Sequence, residues 1–125
     1  METTKKETLI IDGGLPSLNE YTKACRSNKF AGANMKKSAE AIIRNYIFLQ
    51  SLKPLKGKVK LAFRWYEQNR KRDLDNICFA KKFILDALVS AGIIETDSWR
   101  CVIGFTDEFF VDKENSRIEV DIYEQ

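Results

Sequence analysis

Two aspartates separated by one leucine, Asp73 and Asp75, have the type and spacing to bind a metal ion. They lie in the segment Arg72-Asp73-Leu74-Asp75-Asn76, where a polar loop leads into a predicted helix. In extended backbone, side chains at i and i+2 point the same way. Mg²⁺ prefers oxygen ligands and commonly takes one or two carboxylates together with substrate phosphate oxygens. The simpler alternative is that Asp75 is an N-cap, but capping does not explain Asp73.

The sequence contains no histidine, which narrows the chemistry further. Histidine general bases, Ser-His-Asp triads and histidine-bound zinc are all excluded. The three cysteines, Cys25, Cys78 and Cys101, are widely spaced and form no CxxC pair, so neither a zinc site nor a disulfide framework is expected. Any hydrolysis must then use carboxylates, lysine, tyrosine or a metal ion.

Charge is distributed unevenly along the chain. Residues 1–72 contain 16 Lys and Arg against 6 Asp and Glu, whereas residues 73–125 contain 5 against 12. A basic half suggests a polyanionic partner, because Lys and Arg contacts to phosphate dominate affinity for nucleic acids. The candidate DNA-binding residues are Tyr21, Arg26, Lys29, Lys58, Lys60, Arg64, Arg70, Lys71 and Arg72. For most of them, the alternative is ordinary solvated surface charge.

Hydrophobic periodicity predicts the elements that position these residues. Strands are predicted at Thr8–Ile11, Lys58–Tyr66, Arg100–Phe105 and Arg117–Tyr123, and helices from an N-cap at Asn34 to Leu52 and from Asp75 or Asn76 to Ala91, stopped by Gly92. Residues 13–33 show no regular period and are expected to form a long loop. Lys58, Lys60 and Arg64 alternate with core residues, so this row of cations either lines a DNA track or keeps a sheet edge unpaired. The Cys101, Ile103 and Phe105 side chains are expected on one face of their strand.

The predicted second helix carries two further candidates. At about 100° per residue, Asp75, Lys82 and Asp86 fall on one stripe of this helix. Much of the remaining surface is apolar, which either a homodimer interface or deep burial in one core would explain. Asp97 follows the helix after a short turn, and its proximity to Asp73 and Asp75 is left open by the sequence.

The element order predicts an α+β fold, in which a mixed β-sheet packs with two main helices in a single domain, residues 1–125. No apolar run approaches the ~20 residues of a membrane-spanning helix. The charged segment from Met1 to Glu7 does not resemble a secretion signal. We therefore expect a cytoplasmic protein with no membrane association.

The chain resembles the RusA family of Holliday-junction resolvases, which is found in bacteria and in their phages and prophages. Several short segments match this family and occur in the family's order. The matching segments are Pro16-Ser17-Leu18-Asn19-Glu20-Tyr21, Arg72-Asp73-Leu74-Asp75-Asn76, Lys82 with Asp86-Ala87-Leu88, and Ala91-Gly92-Ile93-Ile94 ahead of Asp97. Two departures stand out. The stretch between Asp75 and Lys82 is longer than in the best-studied type, and the acidic pair often found at the third carboxylate is here Thr96-Asp97.

The resemblance implies a homodimeric endodeoxyribonuclease that resolves four-way DNA junctions by paired nicks. Mg²⁺, with Mn²⁺ as a substitute, is the implied cofactor, and no small-molecule cofactor is expected. Carried over by motif, Asp73, Asp75 and Asp97 hold the metal and Lys82 assists, with Lys81 as the alternative lysine. Three other readings are kept: a related metal-dependent nuclease acting on other branched DNA, a non-catalytic DNA-binding protein, and a dimerisation module without a DNA role.

Overall fold

The structure is a computed structural model that describes residues 5–125. It is an α+β fold, in which alternating apolar and polar residues form a β-sheet. In chain order the elements are β1 (Lys6–Asp12), α1 (Leu18–Ser27), α2 (Ala31–Leu49), β2 (Val59–Glu67), α3 (Leu74–Cys78), α4 (Lys81–Ser90), β3 (Val102–Val111) and β4 (Arg117–Glu124). The predicted α+β class with a mixed sheet is confirmed. Residues 1–4 of the predicted domain, and of the charged segment that begins it, lie outside the described residues.

The strands form one sheet in the order β1-β4-β2-β3. β4 is antiparallel to both β1 and β2, whereas β3 runs parallel to β2. The predicted inward positions of β2 are confirmed, because Val59, Leu61, Phe63 and Trp65 are all buried. β2 lies between two other strands, so the alternative that its cations protect a sheet edge is wrong.

Residues 13–33 do not form the predicted structureless loop. They include α1, which begins at a capping box in which Ser17 Oγ accepts from Glu20 N and Glu20 Oε1 accepts from Ser17 N. This Ser-x-x-Glu signal is visible in the sequence and outweighs the weak apolar period that follows it. The described residues therefore contain α1 in addition to the two predicted helices, which correspond to α2 and to α3 with α4.

The first predicted helix also begins earlier than expected. α2 starts at Ala31, and Asn28 rather than Asn34 satisfies its first donors, since Asn28 Oδ1 accepts from Phe30 N and Ala31 N. Asn34 instead donates its backbone N–H to Phe30 O within the helix. None of these helices is long and apolar enough to cross a membrane, over residues 5–125.

The second predicted helix is interrupted at Phe79 and Ala80, which separate α3 from α4. Short-range bonds from Ala80 N to Ile77 O and from Lys82 N to Phe79 O mark a tightened turn there. The single stripe predicted through Asp75 and Lys82 therefore does not apply across this break. The stop at Gly92 is confirmed by its φ of 76°.

Burial within this one chain accounts for the wide apolar surface of α4. Its buried residues are Phe83, Ile84, Leu85, Ala87 and Leu88. They share one core with Ala39, Ile43 and Ile47 of α2 and the inward residues of the sheet. Deep burial, one of the two explanations considered for this helix, is therefore sufficient to explain its wide apolar surface.

β3 is longer than predicted and its inward pattern is different. Val59 pairs with Val102 but Lys60 pairs with Gly104, so Ile103 is an extra residue that shifts the register. Cys101 is buried just before the strand, whereas Ile103 and Phe105 are 37% and 49% exposed. The single face predicted for Cys101, Ile103 and Phe105 is therefore interrupted by this register shift. In β4 the inward residues Ile118, Val120 and Ile122 are buried, as predicted.

Candidate active site

Asp73 and Asp75 lie at the beginning of α3, exposed to solvent. Asp73 is the N-cap residue in extended conformation, but its side chain makes no capping hydrogen bond. Asp75 lies in the first turn, and its Oδ1 accepts a 3.0 Å hydrogen bond from Asn76 N. Asp75 is thus not the N-cap. Among residues 5–125, neither carboxylate forms an ion pair with Lys or Arg, so both keep acceptor oxygens open to solvent or ligand.

The beginning of α3 is fixed against α1. Asn76 Oδ1 accepts a 3.2 Å hydrogen bond from Asn19 N, which joins the two family-like segments. Behind this bond, the Tyr21 ring lies 5.5 Å from Phe79 and 5.8 Å from Phe83, measured between centroids. Tyr21, a predicted DNA-binding residue, is therefore half-buried in an aromatic cluster that positions α3 and α4.

Arg72 holds the loop that precedes Asp73. Its Nη2 donates to Leu15 O at 3.4 Å, and its Nη1 lies 3.6 Å from Glu67 Oε1. The buried Nε has no hydrogen-bond partner among the described residues. These contacts join the loop to the segment after β1, so the Arg72 side chain is largely used within the fold. Its neighbours Arg70 and Lys71 are exposed.

Lys82 connects α4 to the turn that contains Asp97. Its Nζ lies 3.1 Å from Asp86 Oδ1 and 3.4 Å from Asp97 Oδ2. Lys36 of α2 reaches the other oxygen of Asp86 at 3.3 Å. The hydrogen bond to Asp86 raises the pKa of Lys82; partial burial opposes this effect, and the negative charges of Asp86 and Asp97 add to it. Lys82 is therefore a stable cation, and its side chain is 55% exposed.

Lys81 points into a different environment. Its Nζ lies 2.6 Å from Asp107 Oδ2 and 3.9 Å from the centre of the Phe105 ring. Trp65 Nε1 donates to the other Asp107 oxygen at 2.8 Å. Only 13% of the Lys81 side chain is exposed, so this lysine serves the packing of β3 against α4. Asp107 was missed in the sequence because its partners lie on two other elements.

The structure brings Asp97 to Lys82 but does not assemble the three predicted carboxylates into one group. Within residues 5–125, no three Asp, Glu or Cys side chains lie close enough together to hold one metal ion. Asp73 and Asp75 are adjacent at the start of α3, whereas Asp97 is engaged by the lysine of α4.

The predicted DNA-binding residues fall into two classes. Arg26, Lys29, Lys58, Lys60, Arg70 and Lys71 are exposed. Arg64, by contrast, is paired, with its Nε 3.0 Å from Glu119 Oε1 and its Nη1 2.8 Å from Asp121 Oδ2. The predicted row of three free cations on β2 is therefore reduced to Lys58 and Lys60, because the neighbouring strand β4 supplies carboxylates opposite Arg64.

A cleft of about 670 Å³ opens beside Asp73. Arg70 and Arg72 lie on its basic side, and Phe109 and Phe110 of β3 lie on its apolar side. The Phe110 ring stacks on Tyr66 with centroids 4.8 Å apart. The cleft thus places cations, aromatic surface and one candidate carboxylate around the same space.

Comparison with known families identifies the chain. Residues 5–123 match the family model described as Endodeoxyribonuclease RusA. The chain belongs to the RusA family. This family comprises the endodeoxyribonucleases that resolve Holliday junctions, so the expected enzyme class, function and DNA partner of this RusA-family chain are confirmed at the level of the family. No curated protein matches the chain significantly.

Proposed function

We propose that this RusA-family protein is a Mg²⁺-dependent homodimer that resolves four-way DNA junctions by paired nicks. The observation that carries the proposal is the pair of exposed aspartates at the start of α3, Asp73 and Asp75, which have no Lys or Arg partner among residues 5–125, in a chain whose family cleaves DNA. Asp97 and Lys82 complete the proposed site. Because DNA is its substrate, the cytoplasm is the compartment that we propose for this activity.

Asp73 and Asp75 fit a magnesium ion. Mg²⁺ is often bound by one or two carboxylates, with water and substrate phosphate oxygens in the other positions. The two aspartates are exposed and have no Lys or Arg partners in residues 5–125, so their oxygens are free to bind such an ion. A bound Mg²⁺ supplies a Lewis acid and lowers the pKa of its water. Mn²⁺ prefers the same oxygen ligands.

Lys82 is the cation that we assign to the reacting phosphate. Its ammonium group is 55% exposed beside Asp97, and its raised pKa keeps it charged at neutral pH. A fixed cation stabilises negative charge that develops on the phosphate or the leaving oxygen. Asp97 orients this ammonium group in the free protein and serves as the third proposed metal ligand when DNA occupies the site.

The DNA arms are assigned to exposed cations around the carboxylates. Arg70 and Lys71 lie directly before them in the chain, and Arg70 also borders the cleft beside Asp73. Arg26 and Lys29 extend the basic surface from the end of α1. Phosphate contacts of this kind set affinity and orientation without reading sequence.

The homodimer is assigned to the β3 edge of the sheet. At the other edge, the Gln50 side chain pairs with the backbone of β1 at Ile10, accepting from Ile10 N at 2.9 Å and donating to Ile10 O at 2.6 Å. Among residues 5–125, no side chain hydrogen-bonds to the β3 backbone, and Ile103 and Val111 are 37% and 49% exposed on it. Open apolar edges pair with other chains. A two-fold axis there would supply two sites to one junction.

A nicking assay tests this proposal. Four-way junction, flap and linear duplex are each incubated with wild type, Asp75→Asn and Glu114→Gln, with Mg²⁺, Mn²⁺ or EDTA. Glu114 is an exposed acid in the turn before β4, with no ion pair in the described residues, and so serves as the matched control. Symmetric, metal-dependent cuts in the junction are expected from wild type and Glu114→Gln, while Asp75→Asn binds the junction without cutting it.

Two of the alternatives give different patterns in the same assay. Preferential cutting of flaps would indicate a nuclease for other branched DNA. Junction binding that is unaffected by Mg²⁺, without cutting by any variant, would indicate a non-catalytic DNA-binding protein. Equal cutting by wild type and Asp75→Asn would contradict the assignment of the metal site.

A further inference from the structure

Trp99 is the most exposed large hydrophobic residue in the described part of the chain, with 90% of its surface accessible to solvent. Removing an indole ring of this size from water is strongly favourable, and an isolated protein that leaves it exposed gains nothing in stability. Its neighbours Ser98 and Arg100 are exposed and polar. Trp99 is therefore an exposed aromatic side chain between two exposed polar residues.

The turn that carries Trp99 is well defined by hydrogen bonds. Ser98 O accepts from Cys101 N at 3.0 Å and from Val102 N at 2.9 Å. Ser98 N donates to Thr96 Oγ1 at 3.3 Å, and the buried Cys101 anchors the far end. Because the backbone of this turn is already ordered, binding a partner through Trp99 costs little backbone conformational entropy.

The same turn contains Asp97, two residues before Trp99. Asp97 Oδ2 lies 3.4 Å from Lys82 Nζ, so the turn is attached to the proposed active site. Aromatic side chains stack on bases that are not enclosed in a duplex, in addition to charged contacts to the backbone. A protein partner would require a contiguous apolar surface, which the polar neighbours of Trp99 do not supply.

We propose that Trp99 stacks on a nucleobase exposed at the branch point of bound DNA and so positions the adjoining backbone at the active site. The inference rests on the proposed function, because it assumes that branched DNA reaches Asp97 and Lys82. Trp99 acts here as a positioning residue and takes no part in the bond-breaking step. It would favour branched DNA over linear duplex, whose bases are stacked on both faces.

Tryptophan fluorescence provides a direct test, because the chain contains only two tryptophans. Trp65 is buried, and its indole donates to Asp107, so it is shielded from DNA. A four-way junction titrated into the inactive Asp75→Asn protein should quench the emission of Trp99. Linear duplex of the same sequence should leave most of this emission unquenched. The junction should also protect Trp99 from quenching by iodide.

Binding measurements add variants that separate stacking from folding. Trp99→Ala should bind the junction about tenfold more weakly, with duplex affinity unchanged, and Trp99→Phe should recover most of the loss. Phe48→Ala is the matched control, since Phe48 is an aromatic residue 80% exposed on α2. Circular dichroism should show no unfolding of Trp99→Ala, because its side chain supports no core contact.

The outcomes distinguish this inference from the proposed function. Junction cutting by wild type without quenching of Trp99, and with normal binding by Trp99→Ala, would overturn the inference and leave the resolvase proposal intact. Quenching by the junction without cutting of any branched DNA would support the inference while the proposed function fails. Loss of the dimer in Trp99→Ala, measured by sedimentation, would overturn the inference in favour of a subunit contact.

Discussion

The ammonium nitrogen of Lys82 lies 3.4 Å from a carboxylate oxygen of Asp97, which is fifteen residues later in the chain. Lys82 belongs to α4, whereas Asp97 lies in the turn that leads to β3. The contact brings two of the residues identified from motifs to one place, although they share no local periodicity. It also separates Lys82 from Lys81, whose Nζ lies 2.6 Å from Asp107 instead.

Replacing Lys82 or Lys81 with alanine should therefore have different consequences. Lys82→Ala is expected to reduce junction cleavage by about a hundredfold or more with little change in stability, since it removes an exposed cation from the reacting phosphate. Lys81→Ala leaves the carboxylate of Asp107 with reduced compensation and should lower the free energy of unfolding by about 2–3 kcal/mol. Single-turnover cleavage and urea denaturation of both variants measure the two effects. A large loss of cleavage in a fully stable Lys81→Ala would reverse the assignment.

The bond between Asn76 and Asn19 should matter more for cleavage than for stability. Asn76→Ala removes an exposed acceptor and should cost only about 1 kcal/mol in the free energy of unfolding. Because this bond fixes the beginning of α3, cleavage is expected to fall about tenfold as Asp73 and Asp75 lose their positioning. Asn45→Ala, on the exposed side of α2, is the control. Equal rates of junction cleavage by Asn76→Ala and Asn45→Ala would show that the bond between Asn76 and Asn19 does not position Asp73 and Asp75.

The ion pairs that Arg64 and Arg117 form with carboxylates of β4 predict that the protein loses stability in acid. Hydrogen bonding from Arg117 lowers the pKa of Glu119, and although burial acts to raise the pKa of Asp121, bonds from Arg64 and Thr8 lower it overall. Since both pKa values are lower in the folded chain, their stabilising effect is present above the unfolded values of about 4. It is lost as the pH falls through the lowered folded values. Urea unfolding between pH 7 and pH 2.5 measures this loss.

Removing Arg64 tests the origin of that pH dependence. Arg64→Met leaves the buried Asp121 without its ion-pair partner and should lower stability at pH 7 by about 3 kcal/mol. Because Asp121 then no longer has its lowered pKa, stability should fall less steeply in acid. Arg100→Met, at an exposed arginine paired with Glu95, should leave the profile unchanged. An unaltered acid profile in Arg64→Met would assign the effect to other carboxylates.

The open edge of β3 predicts how to separate the subunits. Ile103→Lys places a charge on this edge, which should prevent pairing with a second chain. Sedimentation should show a dimer for wild type and a monomer for the variant, whose two nicks in a junction should become uncoupled. Ile42→Lys, at an apolar residue 51% exposed on α2, should remain dimeric. A dimer that persists in Ile103→Lys would place the interface elsewhere.

The sequence alone was sufficient for the features that depend on local pattern. Alternation from Val59 to Trp65 predicted the strand β2, and helical spacing placed Lys82 and Asp86 on one stripe, where they form an ion pair. The order of short motifs around Asp73 and Asp75 was enough to indicate the family later found for residues 5–123. Such features are predictable because the side chains concerned interact within a few turns or along one strand.

Only the tertiary structure decided which side chains meet from distant parts of the chain. Arg64 is paired rather than free because β4, fifty residues later, lies beside β2 and presents Glu119 and Asp121. Lys81 and Lys82 are neighbours in sequence, but the packing of α4 directs one to Asp107 and the other to Asp97. The order of strands in a sheet and the direction of each helical side chain depend on burying one common core, which local periodicity does not specify.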